Sequence, residues 1–400
     1  MSYNSRITTK RKWQRSFIRK VFENSSEKKK SYSKTVLDNL KLLNEKNEYM
    51  PKNLFRFYSP TSANISDIQN RRIWLSHPSS FNDPFDCNIG YDSEEFEKKC
   101  LIDFINKMGC VKEKDKAKGF TNDEFNRIKR SQLGDFFYWT TKYENYSSAK
   151  WYILSKKNKD FKQLVDEELN SKLKEVDKKV ESLKSTNIRI SCFSQFKDHE
   201  EFNNQILMWS HYADDHKGFC VEYDLGFLKE ETKLELDYLE FLNDTDSYLK
   251  ERMIATIKAS LFPVEYTSQR INIPITRLRK LRIDNKGLLV KDNGIEELVY
   301  KTFIVKSSRW NYEKEWRLIV DENISNYYGN KIPFPYAKKI YLGCKASTEL
   351  IETMMEIGNN LDVEVYLQKM DGKKFTLDSF KPWEYKYRQE TRKWKNPYDK

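Results

Sequence analysis

The stretch WNYEKEWRLI, residues 310–319, places a strand late in the chain and sets two glutamates side by side. It combines Tyr, Trp, Leu and Ile without Gly or Pro, which predicts a β-strand. Side chains two residues apart in a strand share a face, so Glu313, Glu315 and Arg317 should point the same way. Two like charges this close repel each other unless a cation or a donor intervenes. The face is therefore either a solvated surface neutralised by Arg317 or a pair of carboxylates in a cleft.

The bulk composition of the 400-residue chain excludes several protein classes. Aromatic residues make up 14% of the chain, which argues against a wholly disordered protein. The six cysteines are scattered without a CxxC pair, which disfavours a zinc ribbon or a disulfide framework and suits a reducing cytoplasm. No apolar run approaches the roughly 18 residues of a membrane span, and the N-terminus lacks an apolar signal segment. We expect a cytoplasmic protein with no membrane partner and no metal.

The net charge of +12 is concentrated at the two ends of the chain. Residues 1–50 hold 13 Lys and Arg against 5 Asp and Glu, and residues 369–400 hold 10 against 5. The C-terminal run also interleaves cations with aromatic rings, a pattern typical of nucleic-acid binding because cations contact phosphates and rings stack on bases. The alternative is a soluble tail whose aromatics pack onto the body. The candidate nucleic-acid contacts are Arg392, Lys393, Lys395, Trp383 and Trp394.

The order of predicted elements indicates an α+β fold. Strands are predicted at 53–60, 72–78, 188–194, 218–225, 262–268, 338–344 and 363–369, with single helices between several of them. Residues 91–188 are charged, poor in Gly and helical, and they contain a short seam of apolar residues at steps of four and three. We therefore predict a basic N-terminal extension (1–50), a mixed β-sheet domain (51–368) with a helical insertion (91–188), and a basic aromatic tail (369–400).

The common enzyme motifs are absent: the sequence contains no Walker loop, GxGxxG, HExxH or GxSxG. What remains is a set of polar residues on predicted strands. Arg56 lies in LFRFYS, Ser191 and Ser194 lie in ISCFS, and the two glutamates lie in YEKEWRLI.

Five motifs in order resemble a large bacterial family of unknown function. They are WLSHPSSFNDPFD, ISCFS, MWSHYADDHKGFCVEYD, YEKEWRLI and YLGCKAS, and the resemblance extends from about residue 53 to 368. The order of strand motifs is also similar to that of ADP-ribosyltransferases of the arginine–serine–glutamate class. Arg56, the ISCFS segment and Glu313-Lys314-Glu315 occupy the corresponding places, although ISCFS departs from the Ser-x-Ser pattern, so only one of its serines carries over.

This second resemblance implies an ADP-ribosyltransferase-like fold, NAD as substrate, and transfer of ADP-ribose to a macromolecule. Such a transfer breaks a glycosidic bond through an oxocarbenium-like centre, which a carboxylate can stabilise. That role would suit Glu315, while Glu313 could orient or deprotonate the acceptor. Arg56 would bind a phosphate or ribose of NAD. The basic ends favour RNA or DNA over protein as the acceptor.

Other residues are candidates for contact with NAD. Ser191 or Ser194 would line the ribose site, and Tyr212 could stack on the cofactor. The FNDPFD loop would bring Phe81 and Asn82 to the rim of the cleft, although its polar residues also suit a simple turn. Resemblance to toxins and anti-phage effectors implies a defence role and a partner protein, an antitoxin or a chaperone.

Two other functions remain open at this point. The chain could be a nucleic-acid-binding module on a catalytically degenerate fold, in which Glu313 and Glu315 are structural. It could also be a metal-dependent nuclease, and the acids for that chemistry would be Asp83, Asp86, Glu222 and Asp224.

Overall fold

The computed structural model describes residues 13–14, 16–20, 41–93, 95–96, 100, 159–184, 188–230, 245–278, 293–321 and 330–382. The chain divides into two compact units. The first, which we call the sheet unit, comprises Met1–Cys87, Asn187–Gln269 and Tyr300–Lys400. The second, the helical unit, comprises Asn88–Thr186 and Arg270–Val299. The architecture is α+β, as the sequence predicts.

The sheet unit is built on eight strands in the order β12-β11-β10-β4-β1-β3-β8-β5. Short strands form two further two-stranded sheets, β2 with β9 and β6 with β7. The strands are β1 (Asn53–Tyr58), β2 (Arg72–Trp74), β3 (Ile188–Ser194), β4 (Phe219–Asp224), β5 (Leu261–Pro263), β6 (Glu265–Thr267), β7 (Val305–Ser307), β8 (Glu315–Asp321), β9 (Lys331–Pro333), β10 (Ala337–Leu342), β11 (Glu364–Met370) and β12 (Leu377–Phe380).

The helices are mostly short, and one of them makes a crossover. They are α1 (Ser62–Gln69), α2 (Lys159–Lys184), α3 (His199–Asn203), α4 (Ile206–Tyr212), α5 (Thr245–Ser260), α6 (Ile275–Leu278), α7 (Asn293–Thr302) and α8 (Thr348–Leu361). Neighbouring strands of the large sheet run antiparallel except β10 and β11, which α8 joins. Two parallel neighbours need such a connection, because a tight turn can only reverse the chain.

Both faces of the large sheet are covered. One face packs its apolar side chains, including Leu54, Val221 and Leu318, against α8 through Met354 and Ile357. The other face carries a smaller cluster of mostly aromatic residues under α3 and α4: Phe55, Phe57, Phe202, Trp209 and Tyr341. Alternation along β1 sends neighbouring side chains to opposite clusters, so one short strand supports both cores.

The prediction of one continuous strand over 310–319 is wrong at its start. Residues Ser308–Glu313 form a 3-10 helix, and β8 begins only at Glu315. Lys314 between them is left-handed, with φ 46° and ψ 47°, which breaks the alternation. Glu313 therefore approaches from the turn and not from the strand. The sequence gives little warning, because a lysine seldom adopts this conformation.

Two further segments differ from the sequence prediction. Residues 262–268 form two strands, because β5 pairs with β8 whereas β6 pairs with β7 in another sheet. The sheet also continues past residue 368, after which the sequence predicts a tail. β12 pairs with β11, so that Met370 lies opposite Leu377 and Leu367 lies opposite Phe380. Residues 371–376 reverse the chain between them.

The described parts of residues 1–50 pack into the sheet unit. The ring of Phe17 lies 5.6 Å from that of Phe262 on the edge strand β5. Lys46 is buried, and its Nζ donates to the carbonyl oxygens of Lys258 at 2.6 Å and Leu261 at 3.1 Å. A cation at this helix end satisfies carbonyls that have no partner within the helix. Burial lowers the pKa of Lys46 well below its usual value.

A glycine at the start of β4 permits a close backbone contact, and its replacement should destabilise the fold. A Cβ on Gly218 would lie 2.0 Å from the carbonyl oxygen of Tyr58. We expect Gly218→Ala to lower the free energy of unfolding by about 1–3 kcal/mol, because the two backbones must move apart. Gly372→Ala is the matched control, since nothing lies within 4 Å of that added Cβ. Equal urea midpoints for the two variants would contradict this prediction.

The helical unit contains α2, 26 residues long. Of the five residues of the predicted seam, Val176, Val180 and Leu183 are buried, whereas Leu169 and Leu173 are half-buried. Residues 270–299 belong to this unit together with most of the predicted insertion 91–188. Their link is backbone pairing, because Ile273 N–H donates to the Gly90 carbonyl at 2.8 Å.

None of the helices in the described ranges combines the length and the apolar character that a membrane crossing requires.

Candidate functional site

The large sheet is split between β1 and β3, and this split forms the candidate site. β1 pairs with β4 along six residues and β3 pairs with β8 along seven, but β1 and β3 pair only at Phe55 and Ser194. Beyond that pair β3 takes another partner, because Ile190 exchanges two backbone hydrogen bonds of 2.8 Å with Ser76. The two edges therefore diverge and leave a gap between them.

A cavity of about 390 Å³ occupies the gap. This volume falls in the range of small-molecule sites. Its walls come from β1, β3, α4, the loop after β2 and the turn before β8. The polar and charged lining residues are Arg56, Ser76, Ser80, Asn82, Asp86, Ser194, His211, Tyr212, Lys306, Glu313 and Glu315, and Phe55, Phe57 and Phe81 are among the apolar ones.

Arg56 reaches the cavity from the opposite side of the sheet to Glu315. Phe55, Ser194 and Glu315 oppose one another on three adjacent strands, so their side chains share a face and Arg56 takes the other. At a strand spacing of about 4.8 Å, the Cα atoms of Phe55 and Glu315 are roughly 10 Å apart. Arg56 donates to the Trp74 carbonyl at 3.1 Å and to the Ser191 hydroxyl, which fixes the guanidinium in the gap.

The two glutamates are joined by a lysine. Glu313 and Glu315 are 2% and 5% exposed. Lys306 on β7 donates to Glu313 Oε2 at 2.5 Å and to Glu315 Oε2 at 3.2 Å. The Tyr212 hydroxyl donates to Glu313 Oε1 at 2.5 Å. The cation therefore removes the repulsion that the sequence pattern raised, and it does so from β7, which belongs to a separate two-stranded sheet.

Arg317 neutralises Glu315 together with Lys306. Its side chain is 0% exposed, and it donates to Glu315 Oε1 at 2.8 Å and Oε2 at 3.0 Å. The same guanidinium donates to Asp86 Oδ1 at 2.9 Å and Oδ2 at 2.6 Å and to the Phe303 carbonyl at 2.8 Å. Such paired, planar contacts are the strongest that arginine makes with carboxylates.

The FNDPFD loop has two roles in this arrangement. Its last residue, Asp86, anchors the loop to Arg317, while Phe81 and Asn82 line the cavity. The turn itself is held by Asp83 Oδ1, which accepts from the Phe85 N–H at 2.9 Å. The loop is therefore structural through its aspartates and faces the cavity through its first two residues.

The environments push the pKa values of the two glutamates apart. Burial and the negative charge of Glu315 raise the pKa of Glu313 above its usual value, against the opposing effect of Lys306. Burial also opposes ionisation of Glu315, but Arg317 and Lys306 outweigh it and lower the pKa of Glu315 to about 2. One carboxylate that stays ionised beside one that gains a proton more easily is the usual arrangement for divided acid–base roles.

The two glutamates also differ in how many hydrogen bonds they can still accept. An ionised carboxylate has about four acceptor positions. Arg317 supplies two donors to Glu315 and Lys306 supplies a third. Among the described residues Glu313 receives hydrogen bonds from Tyr212 and Lys306. Glu313 therefore has the greater remaining capacity for a ligand.

The structure brings most predicted site residues together. Arg56, Ser194, Tyr212, Phe81, Asn82, Glu313 and Glu315 line one cavity, and Ser191 contacts it through Arg56. The predicted nucleic-acid contacts, Trp383, Arg392, Lys393, Trp394 and Lys395, lie outside the described residues.

The four acids of the nuclease hypothesis have different partners. Asp83 accepts from the Phe85 N–H at 2.9 Å, and Asp86 binds Arg317. Glu222 accepts from Asn53 at 2.7 Å, and Asp224 pairs with Lys338 at 2.9 Å. Within the ranges that the structure describes, no group of three or more His, Cys, Asp or Glu is placed to hold a metal ion.

Lys306 was not predicted from the sequence. It lies in the apolar stretch FIVKS, where a lysine in a short strand is an available signal. A buried pair of glutamates requires a cation nearby, because unpaired buried charge is costly. A search for cations within apolar strands would have found Lys306, but not its distance from the glutamates.

One family model matches the chain. Residues 208–318 match DUF2971, a protein family of unknown function. The match includes Tyr212, Lys306, both glutamates and Arg317, and it excludes Arg56, the FNDPFD loop and both ISCFS serines. It covers less than half of the chain and agrees with the resemblance to a family of unknown function over those residues. No curated protein and no solved structure matches the chain.

Proposed function

We propose that this chain transfers ADP-ribose from NAD to a macromolecule, with nucleic acid favoured over protein as the acceptor. One observation carries the proposal: a single cavity joins a cation on β1, a serine on β3 and two buried glutamates with divergent pKa values. The sequence places these residue types in the order found in ADP-ribosyltransferases. A toxin or defence effector is the biological role that such an activity suits.

In this proposal each group has a separate role. Arg56 binds the diphosphate of NAD, and the Trp74 carbonyl holds its guanidinium in position. The bond between nicotinamide and the ribose breaks, and nicotinamide leaves as a neutral base with the bonding electrons. Glu315 stays ionised near the positive charge that develops on the ribose. A nucleophile of the acceptor bonds to the ribose carbon and gives its proton to Glu313.

A second candidate follows from the hydrogen bonds of Glu315. The protein fills three of the about four acceptor positions of this carboxylate, which suits a structural ion network. We therefore keep a nucleic-acid-binding module with structural glutamates as the alternative function.

A labelling experiment tests the proposal. The purified full chain is incubated with NAD labelled in its adenylate part and, in separate reactions, with pools of RNA, DNA and protein. Label in the RNA or DNA pool is the expected result, and label in the protein pool would move the acceptor to protein. Nicotinamide release without label would indicate NAD hydrolysis. Intact NAD together with oligonucleotide binding would support the binding module and remove the transferase.

A further inference from the structure

A second cavity lies on the same face of the sheet as the glutamates, toward its other edge. It has a volume of about 530 Å³ and is formed by β10, β11, β12 and α3. We call it the edge pocket. Its principal lining residues are His199, Lys339, Tyr341, Tyr366, Asp378 and Ser379. The site described above uses none of these residues.

The edge pocket combines stacked rings with cations. The rings of Tyr341 and Tyr366 lie 5.4 Å apart and nearly parallel, at 24°. The Nζ atoms of Lys339 and Lys381 lie 5.7 Å and 5.8 Å from the centre of the Tyr366 ring, and Lys381 also pairs with Glu364 at 2.8 Å. A flat aromatic surface beside ammonium groups suits a ligand that carries both a planar base and a phosphate.

The tyrosines are held in place by the sheet. The Tyr341 hydroxyl donates to Glu222 Oε2 at 2.8 Å, and Glu222 also lies 3.9 Å from Lys339. Glu222 is buried, so the bond orients Tyr341 firmly. The surface on which a base would stack is therefore built before any ligand binds, which reduces the ordering cost of binding.

Next to the edge pocket, the turn between β11 and β12 presents cations and an apolar ring to solvent. We call residues 369–376, KMDGKKFT, the hairpin tip. Asp371 Oδ1 accepts from the N–H groups of Lys373 at 2.6 Å and Lys374 at 2.7 Å, which fixes the turn. Phe375 is 96% exposed and Met370 is 67% exposed. The exposed Phe375 ring offers a flat surface on which a base could stack.

We propose that the edge pocket and the hairpin tip together bind single-stranded nucleic acid, with bases stacked on Tyr366 and Phe375 and phosphates bound by the surrounding lysines. The chain continues from Lys381 into the basic, aromatic residues 383–400, which have the same composition. A membrane surface is the alternative partner for a turn that is both basic and aromatic. The two stacked tyrosines in a polar pocket favour bases over lipid, because bases present flat faces.

A row of directly opposed residues connects this surface to the glutamate cavity. Four strand spacings of about 4.8 Å place its ends, Lys339 and Glu315, roughly 19 Å apart on one face. A bound nucleic-acid strand would need to extend over that distance to bring a further base into the glutamate cavity. This step rests on the proposed function. The row consists of Lys339, Glu222, Phe55, Ser194 and Glu315.

Fluorescence anisotropy tests the binding surface. The full chain is titrated into labelled single-stranded RNA and DNA of about ten nucleotides, a length within the usual site sizes. Tyr366→Leu should weaken binding about tenfold through lost stacking. Lys339→Gln should reduce the slope of log K against log salt by about 0.7. Lys338→Gln is the matched control, because Lys338 is the neighbouring residue on β10 and pairs with Asp224 instead. It should leave affinity and slope unchanged.

Cross-linking of RNA that contains 4-thiouridine gives a measurement on the unmutated chain, and the cross-linked peptides should come from β10–β12. Unchanged affinity in both variants, or cross-links confined to other strands, would overturn the proposal. AMP binding is measured in the same variants. If both variants bind AMP less tightly than wild type but keep their affinity for oligonucleotides, the edge pocket is a site for a free nucleotide, and the assignment to a nucleic-acid strand is overturned. Binding to anionic vesicles that Phe375→Ala abolishes, with oligonucleotide binding retained, would assign the surface to membranes. All these readouts are independent of NAD turnover, so they separate this proposal from the transferase.

Discussion

Replacing Glu313 by Gln should lower the rate of NAD-dependent transfer by about 10²–10³, because the amide cannot accept the proton of the acceptor. The amide oxygen can still accept from Tyr212, and Lys306 keeps Glu315 and Asp86 as partners, so the fold should survive. The measurement is kcat with NAD and nucleic acid, together with a melting curve. A variant that melts like wild type and transfers at the wild-type rate would exclude Glu313 from the chemistry.

Asp67→Asn is a suitable control for the loss of a buried carboxylate. Asp67 is 3% exposed and pairs with Lys331 at 2.7 Å, away from the glutamate cavity. It should change stability without changing kcat. A loss of kcat in both variants would attribute the effect of Glu313→Gln to general destabilisation.

The same residue gives a pH prediction. Glu313 must be ionised to act as a base, and burial and Glu315 raise its pKa above the usual value. The rate should therefore fall as pH drops through a pKa above the usual glutamate value of about 4.3. The Glu313→Gln variant should lack this acid limb. An identical limb in wild type and variant would mean that another group titrates.

Arg317→Met should cause the largest loss of stability, about 3–5 kcal/mol in the free energy of unfolding. The substitution leaves two buried carboxylates, Glu315 and Asp86, without the guanidinium that binds both. Urea unfolding measures the loss. Lys338→Met removes one cation from an exposed pair, so it should change stability by about 0–1 kcal/mol. Similar urea midpoints for the two variants would contradict the network as the stabilising element.

Acid should reduce the difference between Arg317→Met and wild type. The pKa of Glu315 is lowered to about 2 in the folded chain, so its ionised form stabilises the fold fully above the ordinary glutamate pKa of about 4.3. That contribution is lost progressively as pH falls toward 2. The variant lacks the main cation that lowers this pKa and therefore has less stability to lose. A difference that stays constant from neutral pH into the acid range would contradict this role of Arg317.

Local patterns in the sequence were sufficient for much of the sheet. The strand predicted at 188–194 has the bounds of β3, and the strand predicted at 53–60 ends at Tyr58, before Ser59 and Pro60. Arg56, Ser194 and Glu315, which the order of strand motifs groups together, line the same cavity because their strands, distant in sequence, become neighbours in the sheet.

The sequence by itself therefore determined the α+β class, the strands that carry the site and the presence of two adjacent glutamates. Tertiary structure alone decided how those glutamates are held. Lys314 takes a left-handed conformation that moves Glu313 out of the strand, and Lys306 arrives between the carboxylates from a separate two-stranded sheet. Strand alternation is a local property that can be recognised in a few residues. The pairing of buried charges depends on contacts between distant elements, and the long-range packing of the sheet fixes those contacts.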